Sequence, residues 1–476
     1  MTSPVETAIR SLVTKGVSAL GALNRERLPQ PDAPHPFLTG VHAPMSAELS
    51  LEDLQVTGAI PPQLDGRYLR IGPNPIAADP RSYHWFTGDG MAHGLRLQGG
   101  RALWYRNRWI RSNAVSRALG EAPAPGPHAD FDTVNTNILG FAGQTWALVE
   151  AGSTPVRLGE TLETIAYDDF GGTLAGAFSA HPHLDPATGE LHAICYHAHD
   201  QAAVRHVVVG ADGRVCREEP VAVEHGPSIH DCAITGRYVL VFDLPVTFSM
   251  GAVIAGQPFP YRWNPAHKAR VGLLPREGRG DEVIWCEVDP CYVFHVANAY
   301  DDADGRVVAD LVVHDTMFAE SRQGPDSRNA ALERWTIDPA SRQVVRQVVD
   351  PAPQEFPRID ERRFGQPHRY VYAMQMPQAP DPTFLGVGLI KHDRATGARQ
   401  VHDFGPGRHP GEFVFTPAHA DSSEDEGWLM GLVVNLGDET TDLVILDAQD
   451  FEGAPVASVR LPHRVPPGFH GNWAAT

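Results

Sequence analysis

Short apolar runs rich in valine, leucine, tyrosine and tryptophan alternate with turn signals along most of the chain. Examples are QTWALVE, RYVLVFDL, VVADLVVHD and DLVILDA, which have the length and composition of β-strands. Asp/Gly-rich segments typical of hairpin turns stand at residues 185–190, 211–214, 302–305 and 393–398. More than 400 residues of this pattern, with no linker-like break, predict a closed all-β body. A β-propeller is the natural candidate, and pairs of packed sandwiches remain the alternative.

The N-terminal segment has a different periodicity. Over residues 8–23, apolar side chains recur at helical spacing and polar or basic side chains occupy the other face. We therefore predict an amphipathic helix and linker over residues 1–30, followed by a single domain over residues 31–476. The helix either packs on that domain or lies in the interface of a lipid bilayer.

The composition limits which binding partners and which cellular compartment fit this protein. The 476-residue chain carries a formal net charge of −19, which argues against a nucleic-acid backbone as a partner. Its five cysteines form no CxxC pair, which fits a reducing compartment. No apolar run is long enough to cross a bilayer. We predict a cytoplasmic protein. The alternative is a cytoplasmic protein that makes peripheral contact with the inner face of the membrane.

The 23 histidines are the first sign of metal chemistry. Four of them adjoin apolar or small residues at strand-like runs rather than charged loops: His181, His230, His295 and His470. Taken singly, each is explained as a hydrogen-bonded core or rim residue, because local spacing such as HxxxH is missing. In a propeller, strands from different blades converge on one axis, where four imidazoles would suit iron, copper or zinc.

Three glutamates stand in similarly unusual surroundings. Glu150 ends the apolar run TWALVE, Glu355 lies in QEFPRID and Glu412 lies in HPGEFVFTP. One interpretation is an exposed glutamate at the end of a strand, since an isolated buried carboxylate is costly. The other is a carboxylate that accepts the second N–H of a metal-bound imidazole and so fixes its tautomer.

Together these stretches resemble the carotenoid cleavage oxygenase family. The motifs that carry the resemblance follow the family's order: LDGRYLRIGPNP, HWFTGDGMAHG, WYRNRW, VNTN, WALVEAG, AHPHLDPATGELHA, IHDCAIT, FHVANAY, EFPRID, GEFVFTP and RVPPGFHGNW. They run from about residue 36 to the C-terminus. The chain looks most like the bacterial carotenoid-cleaving members, which are related to the lignostilbene dioxygenases.

The resemblance implies a seven-bladed β-propeller with a helical or loop cap over its top face. It also implies one Fe(II) on the propeller axis, and its ligands would be His181, His230, His295 and His470. His183 is the competing choice within AHPH, and the family pattern favours His181.

The resemblance further implies a carboxylate partner for three of these histidines: Glu150 for His230, Glu355 for His295 and Glu412 for His470. His181 would lack such a partner. Thr136, in VNTN, matches a position whose side chain crowds the open side of the iron in many members.

The implied activity splits one C=C bond of a carotenoid or apocarotenoid into two aldehydes, with dioxygen as co-substrate. The alternative is the same cleavage of a stilbene or related phenylpropanoid. Stilbene-cleaving members bind the phenol hydroxyl of the substrate with a lysine and a tyrosine, and residues 101–180 contain no lysine. A propeller used only as a binding scaffold is disfavoured, because all four histidines and all three glutamates are present.

A polyene substrate requires a long apolar tunnel beside the iron. Phe86, Tyr105, Trp109 and Phe294 are candidates for its wall, and a core role is the alternative for each. Such substrates dissolve in membranes, so the helix over residues 8–23 would dock the tunnel mouth at a bilayer.

Overall fold

The computed structural model describes residues 19–327, 329–379, 381 and 383–476. Within these ranges, 33 strands form seven sheets of four to six strands and one separate two-stranded hairpin. The innermost strands of successive sheets lie side by side around a central axis. The predicted seven-bladed β-propeller is therefore confirmed.

Each of the seven larger sheets forms one blade. Blade one consists of β1 (Ser50–Glu52), β5 (Arg101–Trp109), β4 (Gly90–Gln98), β3 (Gly66–Pro73) and β33 (Gly471–Ala475). Blade two consists of β6 (Asn137–Phe141), β7 (Gln144–Leu148), β8 (Val156–Leu158) and β9 (Thr164–Tyr167). Blade three consists of β10 (His183–Leu184), β11 (Leu191–His197), β12 (Asp200–Val209) and β13 (Val215–Ala222). Blade four consists of β14 (Cys232–Ile234), β15 (Tyr238–Asp243), β18 (Arg270–Pro275) and β19 (Ile284–Glu287).

The remaining blades complete the ring. Blade five consists of β20 (Tyr292–Asp301), β21 (Val307–His314), β22 (Ala330–Asp338) and β23 (Gln343–Asp350). Blade six consists of β24 (Gln354–Arg358), β25 (Tyr370–Gln375), β26 (Gly388–Asp393) and β27 (Arg399–His402). Blade seven consists of β28 (Arg408–Pro410), β29 (Val414–Pro417), β30 (Gly427–Asn435), β31 (Thr440–Asp447), β32 (Ala457–Leu461) and β2 (Gln55–Gly58). The separate hairpin pairs β16 (Val246–Phe248) with β17 (Tyr261–Trp263).

Position within a blade explains the composition of each strand. Strand β21 is buried at every residue, because neighbouring blades cover both of its faces, and its sequence VVADLVVH is nearly continuous in apolar residues. The outer strand β23 of the same blade, QVVRQVVD, alternates polar residues with pairs of valines, and half of its residues are exposed, among them Val345 and Val348. The runs most evident in the sequence therefore belong to the inner parts of the blades.

Both ends of the described chain close the ring. The C-terminal strand β33 pairs antiparallel with β3, where Trp473 lies opposite Tyr68. The N-terminal strands β1 and β2 follow each other in sequence, but β1 pairs with β5 of blade one and β2 pairs with β32 of blade seven. The chain thus passes between blades one and seven near the axis and at the rim, which closes the ring.

Helices are few and lie in the connections between strands. The α-helices are Asn113–Leu119 and Met250–Ile254, and residues 19–26 are also helical. Short 3-10 helices span Gly40–His42, Trp85–Thr87, Gly280–Glu282 and Glu361–Arg363. The long connections that carry the two α-helices form the cap beside the propeller axis.

Most of the predicted N-terminal helix over residues 8–23 lies outside the described residues. The part that is described packs on the helix Met250–Ile254. Asn24 Nδ2 donates a hydrogen bond of 2.7 Å to the Ile254 carbonyl, and Arg25 Nε donates one of 3.0 Å to the Gly256 carbonyl. No helix within the described ranges is long and apolar enough to span a membrane.

Candidate metal centre

Four histidines from four different blades meet on the propeller axis. Three stand just before an innermost strand and the fourth lies within one: His181 before β10, His230 before β14, His470 before β33 and His295 in β20. One ring nitrogen of each lies within 4.8 Å of the corresponding nitrogen of the other three. The residues predicted as ligands are therefore brought together, although 175 positions separate even His295 from His470 along the chain.

The arrangement of the rings fits a bound metal ion. His295 Nε2 and His470 Nε2 are 3.2 Å apart. The Nδ1 atom of each ring faces a glutamate, so each Nδ1 carries the proton and each Nε2 presents a lone pair. Two facing lone pairs form no hydrogen bond, whereas nitrogens about 2.1 Å from one metal ion lie about 3 to 4 Å apart. His181 Nε2 is likewise buried without a hydrogen-bond partner.

Three glutamates hold three of the imidazoles in the predicted pairs. Hydrogen bonds join Nδ1 of each ring to a carboxylate oxygen: His230 to Glu150 at 2.9 Å, His295 to Glu355 at 2.5 Å and His470 to Glu412 at 3.1 Å. His181 has no carboxylate partner, and its backbone N–H donates to Ser179 Oγ. Each pairing joins two blades, so the carboxylates link the ring as well as orient the imidazoles.

The three carboxylates sit in different surroundings. Glu355 also accepts a hydrogen bond of 2.7 Å from His314 Nε2, whereas Glu150 Oε2 is buried without a partner. Glu412 accepts the backbone N–H of Gly471 at 2.8 Å and lies 3.4 Å from Arg358 Nη1. The sequence motifs carry no signal for His314 or Arg358, because their roles depend on contacts across blades.

Burial controls the protonation of the cluster. It lowers the pKa of His181, and the neighbouring imidazoles add to the effect. Burial also lowers the pKa of His470 to about 4, although Glu412 opposes the shift. Both rings are therefore neutral at pH 7 and keep lone pairs for a metal ion. Burial acts in the same direction on His295, but Glu355 outweighs it and raises the pKa of that ring.

The charge on Glu412 is held by its neighbours. Burial alone would raise the pKa of this carboxyl, but Arg358 and His470 lower it to about 2. Arg358 also donates to Glu361 at 2.6 Å and to Asn472 Oδ1 at 2.7 Å. The guanidinium thus fixes the glutamate that orients His470.

The competing histidine of the AHPH motif points elsewhere. His183 Nε2 forms a 2.8 Å contact with Asp231 Oδ1, and its ring packs edge-on against Phe364. Asp231 in turn accepts the backbone N–H of Val296 at 2.8 Å. His183 therefore belongs to a neighbouring polar cluster and not to the group of four imidazoles.

Thr136 lies beside the cluster, in the loop that leads into β6. Its carbonyl accepts the backbone N–H of His470 at 3.1 Å, and its hydroxyl donates to Asn135 Oδ1 at 2.9 Å. Thr136 also lines the cavity next to the imidazoles. The side chain is thus held in place beside the site.

An aromatic cavity of about 510 Å³ opens onto the cluster, and His230, His295 and His470 form part of its wall. Its aromatic lining consists of Trp85, Phe86, Phe131, Tyr196, Phe259, Tyr261, Phe294, Phe356, Phe384 and Phe469. Phe86 and Phe294 thus lie in the wall, as the sequence indicated. No lysine or arginine is among the described residues that line this cavity.

The other two candidates for the wall lie in the core instead. Tyr105 is fully buried, and its hydroxyl contacts His93 Nδ1 at 2.9 Å. Trp109 Nε1 donates a hydrogen bond of 2.8 Å to the Asn74 carbonyl. Both residues therefore have the core role that the sequence analysis gave as the alternative. The reason is that the motif WYRNRW belongs to β5, away from the axis.

Comparison with known proteins agrees with the fold. The sequence profile of the family described as RPE65, retinal pigment epithelial membrane protein, matches residues 42–475. A carotenoid cleavage oxygenase of Mycobacterium tuberculosis is 42% identical over 94% of this chain and 98% of its own length. The chain therefore belongs to the RPE65/carotenoid cleavage oxygenase family, and it is an oxygenase.

Two solved structures share the architecture. The lignostilbene dioxygenase of Pseudomonas brassicacearum superimposes with a TM-score of 0.85 at 27% identity, covering 94% of this chain and 100% of that one. The cobalt-substituted apocarotenoid oxygenase of Synechocystis gives a TM-score of 0.82 at 28% identity, covering 93% and 99%. The relatives thus include enzymes named for carotenoid and for stilbene substrates.

Proposed function

We propose that this protein is an Fe(II)-dependent dioxygenase that cleaves one C=C bond of a carotenoid or apocarotenoid into two aldehydes. The observation that carries the proposal is the set of four converging imidazoles, three of which line an aromatic cavity. A shell of neutral nitrogens suits Fe(II), and the cobalt-substituted relative supports a divalent metal at such a site. When bound, iron supplies the binding and activation of dioxygen.

The residues of the chain position the substrate and hold the imidazoles. Glu150, Glu355 and Glu412 keep the Nδ1 proton in place, so that the other ring nitrogen stays available to the metal ion. The aromatic wall excludes water and holds an extended polyene with one double bond beside the imidazoles. Selection of the cleaved bond then depends on how far the substrate enters the cavity.

The cavity favours a polyene over a stilbene. Recognition of a phenol hydroxyl or phenolate benefits from a cation, and the described lining offers none. Tyr196 lines the cavity, but its hydroxyl is engaged with Ser228 Oγ at 3.0 Å. Stilbene cleavage therefore stands as the second candidate, supported by the likeness to the lignostilbene dioxygenase.

A substrate panel tests the proposed function. The Fe(II)-loaded protein is incubated with carotenoids, apocarotenoids and stilbenes, and the polyene absorbance and the product masses are followed. We expect loss of absorbance and paired aldehydes from at least one carotenoid or apocarotenoid. Cleavage of stilbenes alone would overturn the proposed carotenoid cleavage in favour of stilbene cleavage.

We also propose that the enzyme takes its substrate from a lipid bilayer. The helical residues 19–26 and the helix Met250–Ile254 pack together and expose four apolar side chains, namely Leu20, Leu23, Met250 and Ile254. We call these four residues the apolar patch. Phe259, five positions after Ile254, lines the cavity, so the patch adjoins a segment of the cavity wall along the chain.

Replacing the apolar patch with four serines should reduce co-sedimentation with liposomes by about tenfold, because burial of these side chains in lipid drives the binding. The matched control is Val345→Ser with Val348→Ser, which removes two exposed apolar residues from β23, a strand that contributes no residue to the cavity lining. Equal sedimentation of the patch variant and the wild type would rule out this docking surface.

A further inference from the structure

The hairpin that joins β11 to β12 forms a polar part of the cavity wall. His197 and His199 both line the cavity there, and His199 is exposed, so the cavity meets the surface at this point. Elsewhere the wall is largely aromatic and apolar. Neither histidine belongs to the four-imidazole cluster, and the chemistry at the metal centre makes no use of them.

The two ring nitrogens of His197 have different roles. Nδ1 accepts the backbone N–H of His199 at 3.0 Å, which places the proton of the neutral ring on Nε2. Burial, with His199 and Arg205 nearby, lowers the pKa of His197 and keeps the ring neutral. Within the described part of the chain, Nε2 has no hydrogen-bond partner. His197 is thus a donor of fixed orientation that contacts no acceptor among the described residues, and its half-buried ring leaves Nε2 open to solvent or to a ligand.

Gly152 leaves this donor open to the cavity. A Cβ atom at position 152 would lie 3.7 Å from His197 Nε2, and the glycine has a φ of +153°, which L side chains rarely adopt. Gly152 also lines the cavity. It stands two residues after Glu150, the partner of His230, and two residues span about 7 Å at most. The donor and the metal centre therefore face the same space.

We propose that His197 Nε2 donates a hydrogen bond to an oxygen atom at the end of the polyene that stays near the cavity mouth. The acceptor is either a hydroxyl on the terminal ring or a terminal carbonyl. The inference rests on the proposed function and names the substrate class more closely: oxygenated polyenes are preferred to hydrocarbons. A hydrocarbon offers no acceptor, so its binding leaves the donor without a partner.

Two variants of His197 separate the donor from the local fold. His197→Asn keeps an acceptor near the position of Nδ1 for the N–H of His199, but it cannot reach the position of Nε2. His197→Gln places an amide N–H near the position of Nε2. We expect the asparagine variant to lose the preference for oxygenated substrate and the glutamine variant to retain most of it.

Three substrates of equal chain length distinguish the two acceptors. The comparison uses an apocarotenal with a ring hydroxyl, the same apocarotenal without it, and the corresponding hydrocarbon without the aldehyde. Removal of either the ring hydroxyl or the aldehyde should raise KM about three- to tenfold in the wild-type enzyme, the range of one hydrogen bond between neutral groups. If removal of the hydroxyl raises KM, the hydroxyl is the acceptor. If removal of the aldehyde raises it, the carbonyl is the acceptor.

The outcomes separate this inference from the proposed function. Cleavage of all three compounds with the same KM in the wild type, or an unchanged preference in His197→Asn, overturns the role of His197 and leaves the proposed function standing. Failure of the wild type to cleave any of the three, once loaded with Fe(II), overturns both.

Discussion

Replacing His470 with alanine is expected to reduce bound iron from about one per chain to less than about a tenth of that, and to abolish polyene cleavage. The variant loses one of four nitrogens and also removes the group that faces His295 Nε2 at 3.2 Å. It leaves the buried Glu412 beside a space that its partner had filled. Metal analysis of the purified variant, with circular dichroism to establish folding, measures the effect.

The matched control is His183→Asn, which changes the other histidine of the AHPH motif. His183 is buried and paired with Asp231, as His470 is buried and paired with Glu412, but it stands outside the cluster. We expect this variant to keep its iron. A folded His470→Ala protein with full iron, or a folded His183→Asn protein without it, would contradict the assignment of the ligands.

The Glu412→Gln variant is expected to fold but to lose about ten- to a hundredfold in iron affinity or turnover. Glutamine keeps the shape of the side chain and removes its charge. The buried Arg358 then loses its anionic partner near the axis, and the Nδ1–H of His470 faces an amide that orients it less strongly. Titration of metal-free protein with Fe(II), followed by turnover at saturation, measures both effects.

Glu361→Gln is the comparison for this variant. Glu361 contacts the same guanidinium at 2.6 Å, but it is partly exposed and does not touch His470. Its replacement should change iron affinity and turnover by less than about twofold, since exposed ion pairs contribute little. Wild-type iron affinity and turnover in Glu412→Gln would show that the Glu412 carboxylate does not support the metal site.

Much of the fold could be predicted from local pattern. Strands such as β15 and β21 are evident because they are buried on both faces and therefore mostly apolar. The number of blades did not follow from the pattern. The outer strands are less buried and their apolar pattern is weaker, and blades one and seven each include a strand from a distant part of the chain.

The residues of the candidate site could likewise be predicted only in part. The four histidines and three glutamates were identified through family motifs, because their spacing carries no local signature. The structure brings them into the predicted pairs. The sequence analysis missed Arg358 and His314. Each owes its role to a contact between separate blades, which no local pattern in the chain records.

The choice of wall residues illustrates the limit most clearly. Phe86 and Tyr105 both stand in family motifs rich in aromatic residues, yet only Phe86 lines the cavity. Phe86 lies in a 3-10 helix beside the axis, whereas Tyr105 lies in β5, away from it. Aromatic side chains fill the core and the cavity wall alike, so the residue type alone did not distinguish them.

The most direct test of the central claim is the rate of apocarotenoid cleavage as Fe(II) is added to metal-free protein. We predict no cleavage before addition, a linear rise to a plateau at about one equivalent per chain, and loss of the response in His470→Ala. The masses of the two aldehydes should sum to that of the substrate plus one dioxygen. Full cleavage by metal-free protein, or a rate that does not respond to Fe(II), would contradict the account.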